Sequence, residues 1–98
     1  MDAVRAAEQQ GAAGKIKIGR VDLSSALLDD TNKNKVEFTI DQQAYLQGYY
    51  AIAILAQQSR YGLHLVGQVQ TGPAVIDKTN VERVIKINAE NQGIRGAF

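Results

Sequence analysis

The chain has 98 residues, 45% of them apolar, a formal net charge of +1 and no cysteine. That length supports one compact unit, and that apolar share argues against gross disorder. The near-balanced charge gives no electrostatic case for nucleic acid or an anionic membrane, disulfides and thiolate metal sites are excluded, and no apolar run reaches the ~20 residues of a membrane span.

Met1 to Glu8 is amphipathic and mixed in charge, so it lacks the apolar core of a secretory signal peptide. Asp2 to Gln10 is predicted helical, with apolar Ala3, Val4, Ala6 and Ala7, Asp2 favourable at the positive end of the dipole and Gly11 as C-cap. After the connection Ala12-Ala13-Gly14, Lys15 to Val21 alternates polar with apolar and reads as a strand covered on one side. Asp22-Leu23-Ser24 turns into a helix capped by Ser24 or Ser25, whose apolar face is Ala26, Leu27 and Leu28. Asp29 to Lys35 is expected as a solvated helix end and loop. Val36 to Ile40 is the next strand, and Asp41 to Gln43 the turn after it.

Ala44 to Tyr61 is the longest helical signal. Tyr45, Tyr49, Ile52, Ala53 and Ala56 share one face, and Leu46, Ile54 and Leu55 widen it, so cover by more than one neighbour is expected. Gly62 ends this helix, and Leu63 to Val69 supplies one or two short extended pieces. Thr71-Gly72-Pro73 is the sharpest breaker and holds the only proline. Ala74-Val75-Ile76 reads as a short strand, and Thr79-Asn80-Val81-Glu82 as a capping box opening a helix through about Asn88. Gln92 to Phe98 is expected to fray. This order predicts an α/β fold with a mostly parallel sheet and helices on both faces.

Few residues point to chemistry. Gly11-Ala12-Ala13-Gly14-Lys15 hints at a phosphate loop, but the Walker pattern needs glycine at Gln9 and a hydroxyl at Ile16, and it follows a strand rather than preceding one. His64 is the only histidine, with no cysteine or carboxylate pair at ligand spacing and no nucleophile elbow to serve, and reads as a partly exposed strand residue. Asp29-Asp30 lies on a polar loop, and Tyr45, Tyr49 and Tyr50 read as packing residues rather than a ligand stack. Nothing here indicates an enzyme, a metal site or a cofactor.

Asp22 and Gln42 differ from these. Each follows a strand, and ligands of open α/β sheets collect outside the carboxyl ends of the strands. If the two strands are parallel neighbours, ~4.8 Å apart, both side chains reach one small molecule. A carboxylate accepts from two hydroxyls while an amide donates and accepts, which suits a polyhydroxylated ligand. The competing reading is that Asp22 merely caps its helix and Gln42 faces water.

Lys17-Ile18-Gly19-Arg20-Val21-Asp22-Leu23-Ser24, Thr39-Ile40-Asp41-Gln42-Gln43-Ala44-Tyr45-Leu46-Gln47-Gly48-Tyr49 and Thr71-Gly72-Pro73-Ala74-Val75 resemble the carboxyl-terminal third of the periplasmic sugar-binding proteins of ABC importers, the ribose-binding-protein-like group. The resemblance implies a fragment of Rossmann-like lobes that close on a monosaccharide or polyol, with Asp22 and Gln42 as hydroxyl-binding residues. It implies three parts: 1–42 in the second lobe, 43–70 crossing to the first lobe as helix and strand, and 71–98 returning. It also implies a periplasmic location, a membrane permease as partner of the full-length protein, and no chemistry. Ala44 and Ser25 stand where the family has proline, and Val21 where an aromatic is common.

By the same resemblance the first two-thirds of a complete member are missing. Half a cleft, open strand edges and an uncovered apolar helix are then expected, and with them a homo-oligomer, one form of which exchanges segment 43–70 between chains. Two other readings stand beside the transport one. One is the effector-binding domain of a sugar-responsive transcription repressor, and the other is a structural oligomer that binds no small molecule.

Overall fold

The computed structural model describes residues 3–92 and 94–97. Asp2, expected to favour the first helix through its dipole, lies outside the described residues, as do Gly93 and Phe98 of the tail. Helix α1 (Ala3–Gln9) buries Val4 and Ala7, three residues apart on one side, and Val4 packs with Leu27 and Val36, the half-buried Ile18 alongside. Gly11, with φ of 66°, closes the helix, and the Ala12 amide donates to the Ala7 carbonyl. The Lys35 ammonium pairs with Glu8 of α1 at 2.9 Å, a pairing that raises its pKa above the ordinary lysine value.

Strand β1 (Gly19–Val21) is shorter than its alternating sequence. Lys15 and Ile16 spend their amides on the Ala12 carbonyl in the turn around Gly14, so they cannot join the ladder. β1 lies parallel to β2 (Phe38–Asp41), with Val21 opposite Ile40. Helix α2 (Ser25–Asn32) runs between them and is capped by the Ser24 side chain, which accepts from the Leu27 amide at 3.1 Å. The expected polar run after it is partly interior. Thr31 is fully buried because its hydroxyl finds the Leu27 carbonyl at 2.8 Å one turn back.

Strand β3 (Ala74–Asp77) pairs antiparallel with β2, so the three-stranded sheet, in order β1-β2-β3, is mixed rather than all parallel. Helix α4 (Val81–Glu90) packs on β3 and α2, and Leu28, Ile76, Val81, Val84 and Ala97 form the main core. The four helices and this sheet make a small α/β unit. Thr39 and Ile76, paired across the sheet, are buried on the face that α2 and α4 cover. The alternate positions, Val21, Phe38 and Val75, remain exposed on the other face.

Three further expectations are corrected. The capping box at α4 does not form, since Thr79 turns its hydroxyl to Asp77 at 2.5 Å and Asn80 becomes an N-cap without a side-chain cap bond. Asn80 instead faces the sheet. Its amide donates to the Val75 carbonyl at 2.9 Å and its oxygen accepts from the Asp77 amide at 3.0 Å, filling the edge of β3 that points away from β2. The tail does not fray where it is described, because Ala97 is 3% exposed in the core and its carbonyl accepts from Asn88 at 2.7 Å. Residues 63–69 form no strand, so His64 is an exposed loop residue.

Helix α3 (Ala44–Tyr61) has the expected bounds and the expected Gly62 cap, yet it buries no residue. Ile52 and Leu55 are 70% and 60% exposed. Tyr45 and Tyr49 stack on one another at 6.1 Å, and Tyr49 meets Tyr50 edge-on, with no lobe against them. Among the described residues no element buries this face. The radius of gyration, 17.2 Å, accordingly exceeds the ~13 Å of a compact domain of this length. No described helix is long and apolar enough to cross a membrane.

Candidate functional site

The parallel register that sets Val21 opposite Ile40 places Asp22 and Gln42 just beyond the carboxyl ends of adjacent strands. Their side chains meet there: the Gln42 amide donates to Asp22 Oδ1 at 2.5 Å, and both residues are exposed. The cap of α2 is Ser24, so Asp22 keeps its carboxylate for the rim, and Gln42 is engaged with it rather than with solvent alone.

Asp22 is held there by its backbone. Its φ is 73°, a left-handed conformation that costs an L-residue about 1–2 kcal/mol and that aspartate tolerates better than most. Two bonds fix it. The Asp22 amide donates to the Ile40 carbonyl at 2.9 Å, and the Asp22 carbonyl accepts from the buried Thr39 hydroxyl at 2.6 Å. Thr39 thus ties the turn after β1 to the strand beside it.

The turn after β2 is built by Asp41. One carboxylate oxygen accepts from the Gln43 amide at 2.8 Å, an Asx turn that stabilises Gln43 at φ of 55°. The other, Oδ2, has no hydrogen bond but lies 3.1 Å from Arg95 Nη1. The aspartate side chain is 3% exposed and the arginine 24%, so the ion pair neutralises a charge that burial would otherwise penalise heavily. The Gln43 side chain reaches across to the returning segment, donating to the Thr71 carbonyl at 2.7 Å and facing Arg95 at 3.4 Å. Gly72 allows the close approach, since a Cβ there would lie 3.0 Å from the Asp41 carbonyl oxygen and 3.2 Å from Gln42 Cα.

A pocket of about 190 Å³ opens between these groups, lined by Asp22, Leu23, Asp41, Gln42, Ala44, Arg95 and Gly96. A larger groove of about 520 Å³ lies between the start of α3, β3 and α4, but its walls are mostly apolar, with Tyr45, Ile76, Val84 and Ile87 among them. The smaller pocket has the polar pair that chemistry needs, and we place the candidate site there. It offers carboxylate acceptors, an amide and a guanidinium, and no nucleophile–base pair. Among the described residues no three His, Asp or Glu side chains gather at metal-binding distance. The structure brings Asp22 and Gln42 together on this rim and adds Arg95 beside them, which a glycine-containing tail without periodic signal does not place in the sequence.

No protein-family model and no curated protein matches the chain. Among solved structures it is similar to a carbohydrate transporter from Acidothermus cellulolyticus 11B in complex with myo-inositol, at 30% sequence identity and a TM-score of 0.76. The likeness covers 90% of this chain and 31% of that one, so the chain spans less than a third of the length of the protein it resembles.

Proposed function

We propose that the chain is the carboxyl-terminal part of a sugar-binding component of an ABC import system, contributing half of a cleft that takes a monosaccharide or polyol. The observation that carries this reading is the Asp22–Gln42 pair, 2.5 Å apart on the rim of two parallel strands. The likeness to a carbohydrate transporter holding myo-inositol supports the ligand class. Asp22 and Gln42 bind hydroxyls by charge-assisted and neutral hydrogen bonds, and binding is reversible with no covalent step.

In this reading residues 1–42 belong to one lobe, 43–70 cross to the other, and 71–98 return. Helix α3 standing off the sheet supports that division, as does β3 coming back antiparallel beside β2 with Gly72 against Gln42. The full-length protein would lie outside the cytoplasmic membrane and deliver its ligand to a permease.

The apolar face of α3 is covered in the whole protein by the other lobe. In the 98-residue chain a second copy covers it, giving a homo-oligomer that can exchange segment 43–70. Light scattering at tens of micromolar tests this, and a monodisperse monomer would refute it. The ligand reading is tested by titrating pentoses, hexoses and inositols into the chain by NMR or calorimetry. Binding of at least one, lost in Asp22→Ala and Gln42→Ala, is expected. An oligomer that binds none of them is a structural assembly only.

A further inference from the structure

The described tail brings one more polar group to the rim. We propose that Arg95 is a ligand-binding residue of this site, donating from its guanidinium to one oxygen of a vicinal diol whose neighbouring hydroxyl donates to Asp22. The inference rests on the polyol reading above and narrows it to a structural unit.

Three observations carry it. Arg95 lines the same 190 Å³ pocket as Asp22 and Gln42. Its Nη1 is fixed by Asp41 at 3.1 Å and by Gln43 at 3.4 Å, so the group is oriented before any ligand arrives. A guanidinium has five N–H donors, and among the described residues only Nη1 has a partner, so Nε and Nη2 remain for a ligand.

The donor pattern then selects the guest. Asp22 Oδ1 already accepts from Gln42, which leaves its second oxygen as an acceptor only. Arg95 is a donor only. A hydroxyl suits both, since it donates to Asp22 and accepts from Arg95, and two neighbouring hydroxyls let each group take its own. A ketone or ether oxygen offers nothing to Asp22, and an ammonium offers nothing to Arg95. A sugar acid meets two carboxylates, Asp22 and Asp41, against one cation.

The test compares the 98-residue chain with Arg95→Lys and Asp22→Ala, using myo-inositol up to tens of millimolar and following ¹⁵N-resolved NMR. Lysine keeps a cation against Asp41 but has no planar fork. The expected result is a shift of the Arg95 Nε–H resonance in the wild type and about tenfold weaker binding in Arg95→Lys, with little change in its thermal midpoint. An unmoved Arg95 resonance, or unchanged affinity in folded Arg95→Lys, overturns this inference even where Asp22→Ala abolishes binding and the polyol reading survives. No binding by the wild type overturns both.

Discussion

Replacing Asp22 by glycine and, separately, by alanine removes the same carboxylate from two different backbones. The residue sits at φ of 73°, where an alanine carries the full left-handed penalty of about 1–2 kcal/mol and a glycine carries none. Glycine gives back about 0.4–1 kcal/mol through the greater freedom of the unfolded chain. The lost bond from Gln42 is common to both variants and cancels in the comparison. The glycine variant is therefore expected to be the more stable by up to about 1.6 kcal/mol, with about 1 kcal/mol as the central figure. In a domain of this size that is a difference of several degrees in thermal midpoint, since ~1 kcal/mol moves it by about 4–8 °C. Circular dichroism melts and urea titrations of the pair measure it, and polyol titrations follow on the same samples. Both variants should lose binding while their stabilities diverge. An alanine variant clearly more stable than the glycine one would refute the left-handed turn, and with it the account of how the carboxylate is aimed.

The other expectations concern the groups around that turn. Asp41→Asn keeps the acceptor for the Gln43 amide but strands Arg95, whose side chain is 24% exposed, and should cost about 3 kcal/mol in urea unfolding. Gly72→Ala drives a methyl into the Asp41 carbonyl, a backbone atom that cannot swing aside, and should cost about 1–3 kcal/mol and shift the amide signals of residues 41–43. The Asp77 carboxyl is lowered from its ordinary pKa by the side-chain and backbone hydrogen bonds from Thr79. Its contribution to stability is thus present at neutral pH and is lost as pH falls through the depressed value. Carboxyl NMR should show Asp77 titrating below the ordinary aspartate range, and Thr79→Val should move it back up; an unmoved titration refutes the assignment.

Local signals in this sequence report local structure well. The α3 bounds follow from apolar residues recurring at helical spacing, which tolerate Gly48 in their midst, and from the Gly62 stop, and that signal needs no partner to be correct. Where a residue's role depends on a remote neighbour, the pattern misleads. Thr31 reads as solvated but is buried because its hydroxyl bonds inside its own helix. Thr79 and Glu82 fit a capping box, yet Asp77 outcompetes the helix for the Thr79 hydroxyl. The rim pair was legible because strand ends and turn residues are sequence-local, and one parallel pairing brings them together. Arg95 was not, since its place depends on Asp41, 54 positions away and buried for reasons only the folded chain supplies.

The Asn80 side chain gives the sheet a direction of growth. By occupying Val75 and Asp77 as a neighbouring peptide would, it acts as a stopper built into the chain itself. Any strand joining this layer, whether from a longer polypeptide or from another molecule, must dock beyond β1, so the assembly can lengthen toward one flank only.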